Sequence, residues 1–221
     1  MGRPAGFEEA TAVRAARRVF WQHGYEQASV PDLERATGLG RSSLYHAFGS
    51  KRGLYDAALA SYLDEVVRPR LRPLQTPPVA AGALAGYLER LLTAVSAVST
   101  AGSRPPGHED DDRGDALHGC LLLNAAAAPI GQDETVRAVV AAYRRELRAA
   151  VADGLAAARP DLAEDAREQL GESVTALVVA ALALVRVDPQ AAGDSLRAAL
   201  ATARPDPRPE PRPGRQDHPR G

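Results

Sequence analysis

The segment from Ser29 to Leu54, SVPDLERATGLGRSSLYHAFGSKRGL, constrains this chain more than any other. Val30, Leu33 and Ala36 fall on one side of a short helix that stops at Gly38. A second short helix follows at about 41–48, with Leu44 and Phe48 four apart on its buried side. At roughly 100° per residue, Ser42 and His46 point away from that side, and Ser43 and Tyr45 flank them. Helix, glycine-containing turn, then a helix with small polar and aromatic residues outward is a helix-turn-helix, whose second helix enters the major groove of DNA. Charge agrees with shape. No carboxylate lies between Glu34 and Asp56, whereas Arg35, Arg41, Lys51 and Arg52 all do. The formal net charge is −1, so this window is a local positive surface of the kind a phosphate backbone requires, within a chain that is not generally basic.

Phe20, Gly24-Tyr25, Gly38-Leu39, Leu44-Tyr45-His46-Ala47-Phe48 and Ser50-Lys51 together resemble the N-terminal module of TetR-type transcriptional regulators. The resemblance spans about residues 8–60, and its tyrosine, phenylalanine and lysine spacing is more specific than a bare helix-turn-helix. Beyond it the likeness is one of architecture. The chain departs at Gly40, where the family often has serine or threonine, so the recognition helix starts on a weaker N-cap. The resemblance implies a homodimer reading a palindromic operator, and a body that takes a small-molecule effector.

Composition supports an all-α fold. Apolar residues make up 45%, rich in alanine and leucine, and aromatics only 5%. The expected organisation is a three-helix DNA-binding head at 1–50, a helical-bundle regulatory and dimerisation domain at 51–203, and a disordered proline-rich tail at 204–221. Lys51 is the only lysine among 27 lysines and arginines, a bias that a GC-rich genome explains. One cysteine excludes an internal disulfide, and no signal peptide or long apolar span is visible, so the expected location is cytoplasmic.

Along the chain, the stripe Ala12, Val13, Ala16, Val19 and Phe20 predicts a first helix over 8–23 that Gly24 ends. Ser50 caps a fourth helix, about 51–68, closed by Pro69 and Pro73. A fifth carries Leu84, Tyr87, Leu88, Leu91, Val95 and Val98, and a sixth, almost wholly apolar, runs from Leu117 to Ala128. Asp133 caps a seventh, Asp161 with Glu164 starts an eighth in a capping-box pattern, and Asp188-Pro189 opens a ninth. The eighth is apolar on nearly every side over 174–187, and little chain follows to cover it. Self-association covers it most economically, through a four-helix interface using Leu170, Val174, Leu177, Val178, Ala181, Leu184, Leu196 and Leu200.

Arg41, Ser42, Ser43, Tyr45, His46 and Lys51 are the candidate DNA-binding residues. Lys51 stands in the first turn of a helix, where an ammonium and free backbone N–H groups converge on one phosphate. Tyr62, Tyr87, Asn124 and Tyr143 are candidate polar handles of an effector pocket lined by Leu, Val and Ala, an inventory suited to an apolar molecule. Cys120 is either a small core residue or a thiol sensor of oxidants. His108 and Glu109 to Asp112 form a solvated acidic run without metal-binding geometry, and no cofactor is expected. No catalytic constellation or phosphate loop appears, which leaves an enzyme reading without support.

Overall fold

The computed structural model of this chain describes residues 5–101 and 118–204, with side chains over 9–97 and 118–204. The acidic run at 108–112, Val98 as a side chain, Leu117 and the tail beyond Arg204 lie outside the described residues. Among the described residues there are ten α-helices and no strand. In chain order they are α1 (Ala5–Gln27), α2 (Val30–Thr37), α3 (Arg41–Phe48), α4 (Lys51–Tyr62), α5 (Arg68–Gln75), α6 (Ala83–Ala101), α7 (Leu121–Ala127), α8 (Glu134–Ala158), α9 (Glu164–Leu184) and α10 (Pro189–Ala203). No helix among them is long and apolar enough to cross a membrane.

Helices α1 to α3 form the head, packed on α4 through Phe20, Leu33, Leu44, Leu54 and Tyr55. Phe20, Tyr25 and Tyr55 make an aromatic triad, with Phe20 edge-on to Tyr55 at 5.0 Å between centroids. Gly24 ends the regular run of the first helix: its φ 77°, ψ 169° are not helical, and a separate short turn follows across the kink to Gln27. Thr37 ends α2, and Gly38 takes the left-handed conformation (φ 70°) while donating its N–H to Glu34 O at 2.9 Å. Gly53, after the head, sits where a Cβ would come within 2.0 Å of Phe48 O, so the α3–α4 junction closes only on glycine.

Pro69, by contrast, does not close the fourth helix. A π-helical turn, Leu63–Val67, precedes it, and the helix then resumes as α5 through Pro73 to Gln75. Proline has no N–H to give the carbonyl four residues back, and its ring crowds that carbonyl. Widening the preceding turn accommodates both. The inward stripe survives the adjustment, running Leu54, Ala58, Tyr62, Val66, Leu71 and Leu74.

The sixth predicted helix is shorter than its apolar run. Gly119 has φ 70° and Cys120 is the N-cap of α7, so the helix starts only at Leu121. Asp133 caps α8, accepting from Thr135 N and Val136 N, and Asp188 caps α10, accepting from Ala191 N. At α9 the capping box is absent. Ala163 is the N-cap, and both Asp161 carboxylate oxygens instead accept from Arg159 at 3.0 Å. Helices α9 and α10 form a hairpin, with α10 also packed on α6 and α9 on α8. Arg204, where a free tail was expected to begin, is tied down by Glu89 at 2.9 Å.

The hairpin sorts its apolar residues by side. Val174, Val178, Ala181 and Leu196 are buried in the chain's own core, at most 1% exposed, and so are not available at its surface. Leu170, Leu177 and Leu200 are only partly buried, Leu184 is 36% exposed and Val187 84%. Leu170, Leu177 and Leu184 recur every seven residues and so form one line along the outer side of α9.

Candidate nucleic-acid interface and tyrosine cluster

Ser29 builds α2 by a reciprocal capping box. Its hydroxyl accepts from Asp32 N at 3.2 Å, and Asp32 accepts from Ser29 N at 3.3 Å. Helix α3 hangs on buried Leu44, with Phe48 partly buried beside it. That anchoring leaves Arg41, Ser42, Ser43 and His46 exposed on one surface. Tyr45 is half-buried, with the Arg41 guanidinium 5.3 Å from its ring centre.

The flanking cations are not equally free. Ser50 caps α4 by accepting from Gly53 N at 3.0 Å. Lys51 leans back over the Tyr25 ring, its Nζ 4.7 Å from the centroid and 3.4 Å from Glu26 O. Partial burial lowers its pKa, with Glu26 acting in the opposite direction. Arg52 is only partly exposed and is engaged by two carboxylates. It donates to Asp56 at 2.8 Å and to Asp133 at 2.6 Å, and these two carboxylates raise its already high pKa. Arg35 pairs with Asp32 along α2. The positive window therefore presents Arg41, while Lys51 is drawn back over Tyr25 and Arg52 ties the start of α4 to Asp133.

Sequence reasoning missed three such ties. Trp21 Nε1 donates to Gly119 O at 3.1 Å, Ile130 N donates to Glu26 Oε1 at 2.8 Å, and Arg52 reaches Asp133. All three run from the head and the start of α4 to a single segment, 119–133, and the partners lie far apart in sequence. It also missed Glu34, whose Oε1 accepts from Arg41 N at 2.5 Å. The bare Gly40 cap was the available signal.

In the body, three of the four expected handles converge. Tyr62, Tyr87 and Tyr143 are all buried close to Cys120. Burial pushes the Cys120 thiol up, so the protonated form is favoured. Burial likewise raises the three phenols. Asn124 is spent elsewhere, its Nδ2 donating to His118 O at 2.8 Å. Among the described residues no group of three His, Cys, Asp or Glu side chains is placed to hold a metal.

Residues 12–58 match the family model for bacterial regulatory proteins of the tetR family. The chain is 46% identical to the transcriptional repressor ComR of Escherichia coli over 63 residues, which cover 28% of this chain and 30% of that relative. It is 28% identical over 159 residues to YezE, an HTH-type regulator of Bacillus subtilis, covering 72% and 74% of the two chains. Among solved structures, a cysteine mutant of the TetR-family regulator CifR complexed with 26-base-pair operator DNA is 30% identical. That match covers 90% of this chain and 98% of CifR, with a TM-score of 0.65. A TetR-family regulator from Streptomyces coelicolor shares the fold at 19% identity, with a TM-score of 0.69. With a matching head, an all-helical body and a likeness running nearly end to end, this chain belongs to the TetR family of bacterial transcriptional regulators.

Proposed function

We propose that the chain is a homodimeric repressor that binds a palindromic operator and leaves it when a small apolar molecule enters the body. The observation that carries the DNA reading is the exposed face of α3, where Arg41, Ser42, Ser43 and His46 stand together above an anchored Leu44. The operator complex of CifR supports it by relationship. Residues 1–50 act as the head and 51–203 as the body.

The outer line of Leu170, Leu177 and Leu184, with Leu200 beside it on α10, supports pairing of the two hairpins into a four-helix interface. In the body, the tyrosine cluster and segment 119–133 share Cys120 as a boundary. An effector lodged among Tyr62, Tyr87 and Tyr143 displaces that segment. Trp21, Glu26 and Arg52 carry the displacement to the head, altering the spacing of the two recognition helices. The thiol-trigger alternative through Cys120 gains nothing from the geometry, since burial disfavours the thiolate that such chemistry needs.

Lys51→Ala and Tyr45→Ala test the head. Both are expected to weaken binding to every duplex, and Lys51→Ala to flatten the dependence of log K on log salt by about one unit. Wild-type affinity across the salt range in both variants would remove these residues from the phosphate surface. Apolar compounds that raise the melting temperature test the body. By reciprocity of coupling, the same compounds should lower operator affinity. Compounds that stabilise the protein yet leave operator affinity unchanged would sink the effector reading.

A further inference from the structure

The recognition helix begins without a cap of its own. Gly40 occupies the N-cap position, with extended backbone (φ −70°, ψ 161°) and no side chain to accept from the first turn. Its first amide, Arg41 N–H, donates instead to Glu34 Oε1 of the preceding helix at 2.5 Å. A carboxylate at that point satisfies one of the orphan donors and lies favourably at the positive end of the helix.

Glu34 has a second consequence. It stands at the edge of the stretch 35–55, which contains no carboxylate. The chain reversal at Gly38 nevertheless brings its charge back onto the first turn of α3, amid the residues of that stretch. The bond that holds it there is to a neutral amide, and among the described residues Glu34 makes no ion pair. Of the cations nearest in sequence, Arg35 pairs with Asp32, and Arg41 lies over the Tyr45 ring with its side chain exposed. In a helix-turn-helix the first helix crosses the backbone and the second presents its first turn to base edges. A carboxylate bridging the two is thus set among phosphates.

We infer that Glu34 is a positioning and affinity-limiting residue of the DNA surface. It starts and orients the recognition helix in place of a local cap, and its charge holds down affinity for any duplex, so that tight binding depends on the base contacts of α3. This rests on α3 being the DNA-facing helix.

Glu34→Gln keeps an oxygen for the Arg41 amide and removes the charge. Glu34→Ala removes both. Gly40→Ser restores a local cap, because the backbone there is already extended and an added Cβ meets nothing within 4 Å. Binding of wild type, Glu34→Gln and the double variant Glu34→Ala/Gly40→Ser to a random-sequence duplex, measured across salt with Lys51→Ala alongside, decides the matter. Near 0.1 M salt the two uncharged variants are expected to bind ~3–10-fold more tightly than wild type, a gain that shrinks as salt rises. Glu34→Ala alone should melt lower, and Gly40→Ser should restore its melting temperature. If Glu34→Gln folds poorly, the double variant carries the same test. Uncharged variants that melt like wild type but bind no more tightly overturn the inference. If Lys51→Ala weakens binding while they fail to tighten it, only the inference falls. If Lys51→Ala has no effect, the placement of the DNA surface itself is wrong.

Discussion

Leu177→Asp combined with Leu184→Asp is expected to yield a folded monomer whose operator affinity is lower by ~10²–10⁴-fold, the factor by which two linked sites exceed one. The expectation follows from the way α9 divides its apolar residues. Val174, Val178 and Ala181 are committed to the protomer's core, so the helix keeps its shape when the outer side is altered. Leu184 is exposed and Leu177, seven residues before it on that outer side, is only partly buried against the core, so most of the helix's own packing remains on replacement. Two carboxylates on each copy would then meet their counterparts across a two-fold axis in an interface that excludes water. Repulsion and the cost of burying the charges act together against pairing. Val187, at the end of the same hairpin, is 84% exposed. Sedimentation equilibrium and helical circular dichroism are the measurements. A variant that remains dimeric and keeps wild-type operator affinity would move the interface away from α9.

The second large effect lies in the head. Phe20→Ala is expected to cost ~3–5 kcal/mol of stability, as the removal of a fully buried aromatic ring does. Phe20 is 1% exposed, edge-on to Tyr55 and stacked on Tyr25. Tyr25 in turn is the platform over which Lys51 rests. The lost ring therefore leaves a void under both the α1–α4 contact and the seat of the candidate phosphate clamp. Total stability of a domain is of order 5–15 kcal/mol, so the head should melt first and DNA binding should fail well below the wild-type melting temperature. Urea unfolding checks this. A destabilisation below about 1 kcal/mol would show that the triad packs loosely enough to collapse around the gap.

Most of the helices were legible because their signals are local. Alternation of apolar residues at three and four, Gly38 after α2, Ser50 before α4 and the caps Asp133 and Asp188 are all read within one or two turns of chain. The misreadings share a cause as well. Pro69 looked like a stop because sequence carries no sign that the preceding turn would widen to accept it. Val174, Val178, Ala181 and Leu196 looked available to a partner because apolarity does not tell a protomer's core from its interface.

The site was legible in part. Helical periodicity sufficed to place Ser42, Ser43 and His46 outward, and they are exposed. It did not reveal that Arg52, counted among the surface cations, would be claimed by Asp133, 81 residues away. Nor did it reveal that Glu34 would supply the cap that Gly40 lacks. Both are contacts across a chain reversal or between distant helices, and periodicity within one helix says nothing about them. The same holds for the meeting of Tyr62, Tyr87 and Tyr143 at Cys120. Their residue types suggested polar handles, but only the packing of α4, α6, α7 and α8 brings them together.

Selection of bound duplexes from a random pool, followed by the stoichiometry of the winning complex, tests the central claim most directly. Two recognition helices held by one paired body predict enrichment of an inverted repeat with half-site centres about one helical turn, or a whole number of turns, apart. They also predict that destroying either half-site removes most of the affinity. Enrichment of a single unrepeated site bound by one protomer, or no enrichment at all, would contradict the account.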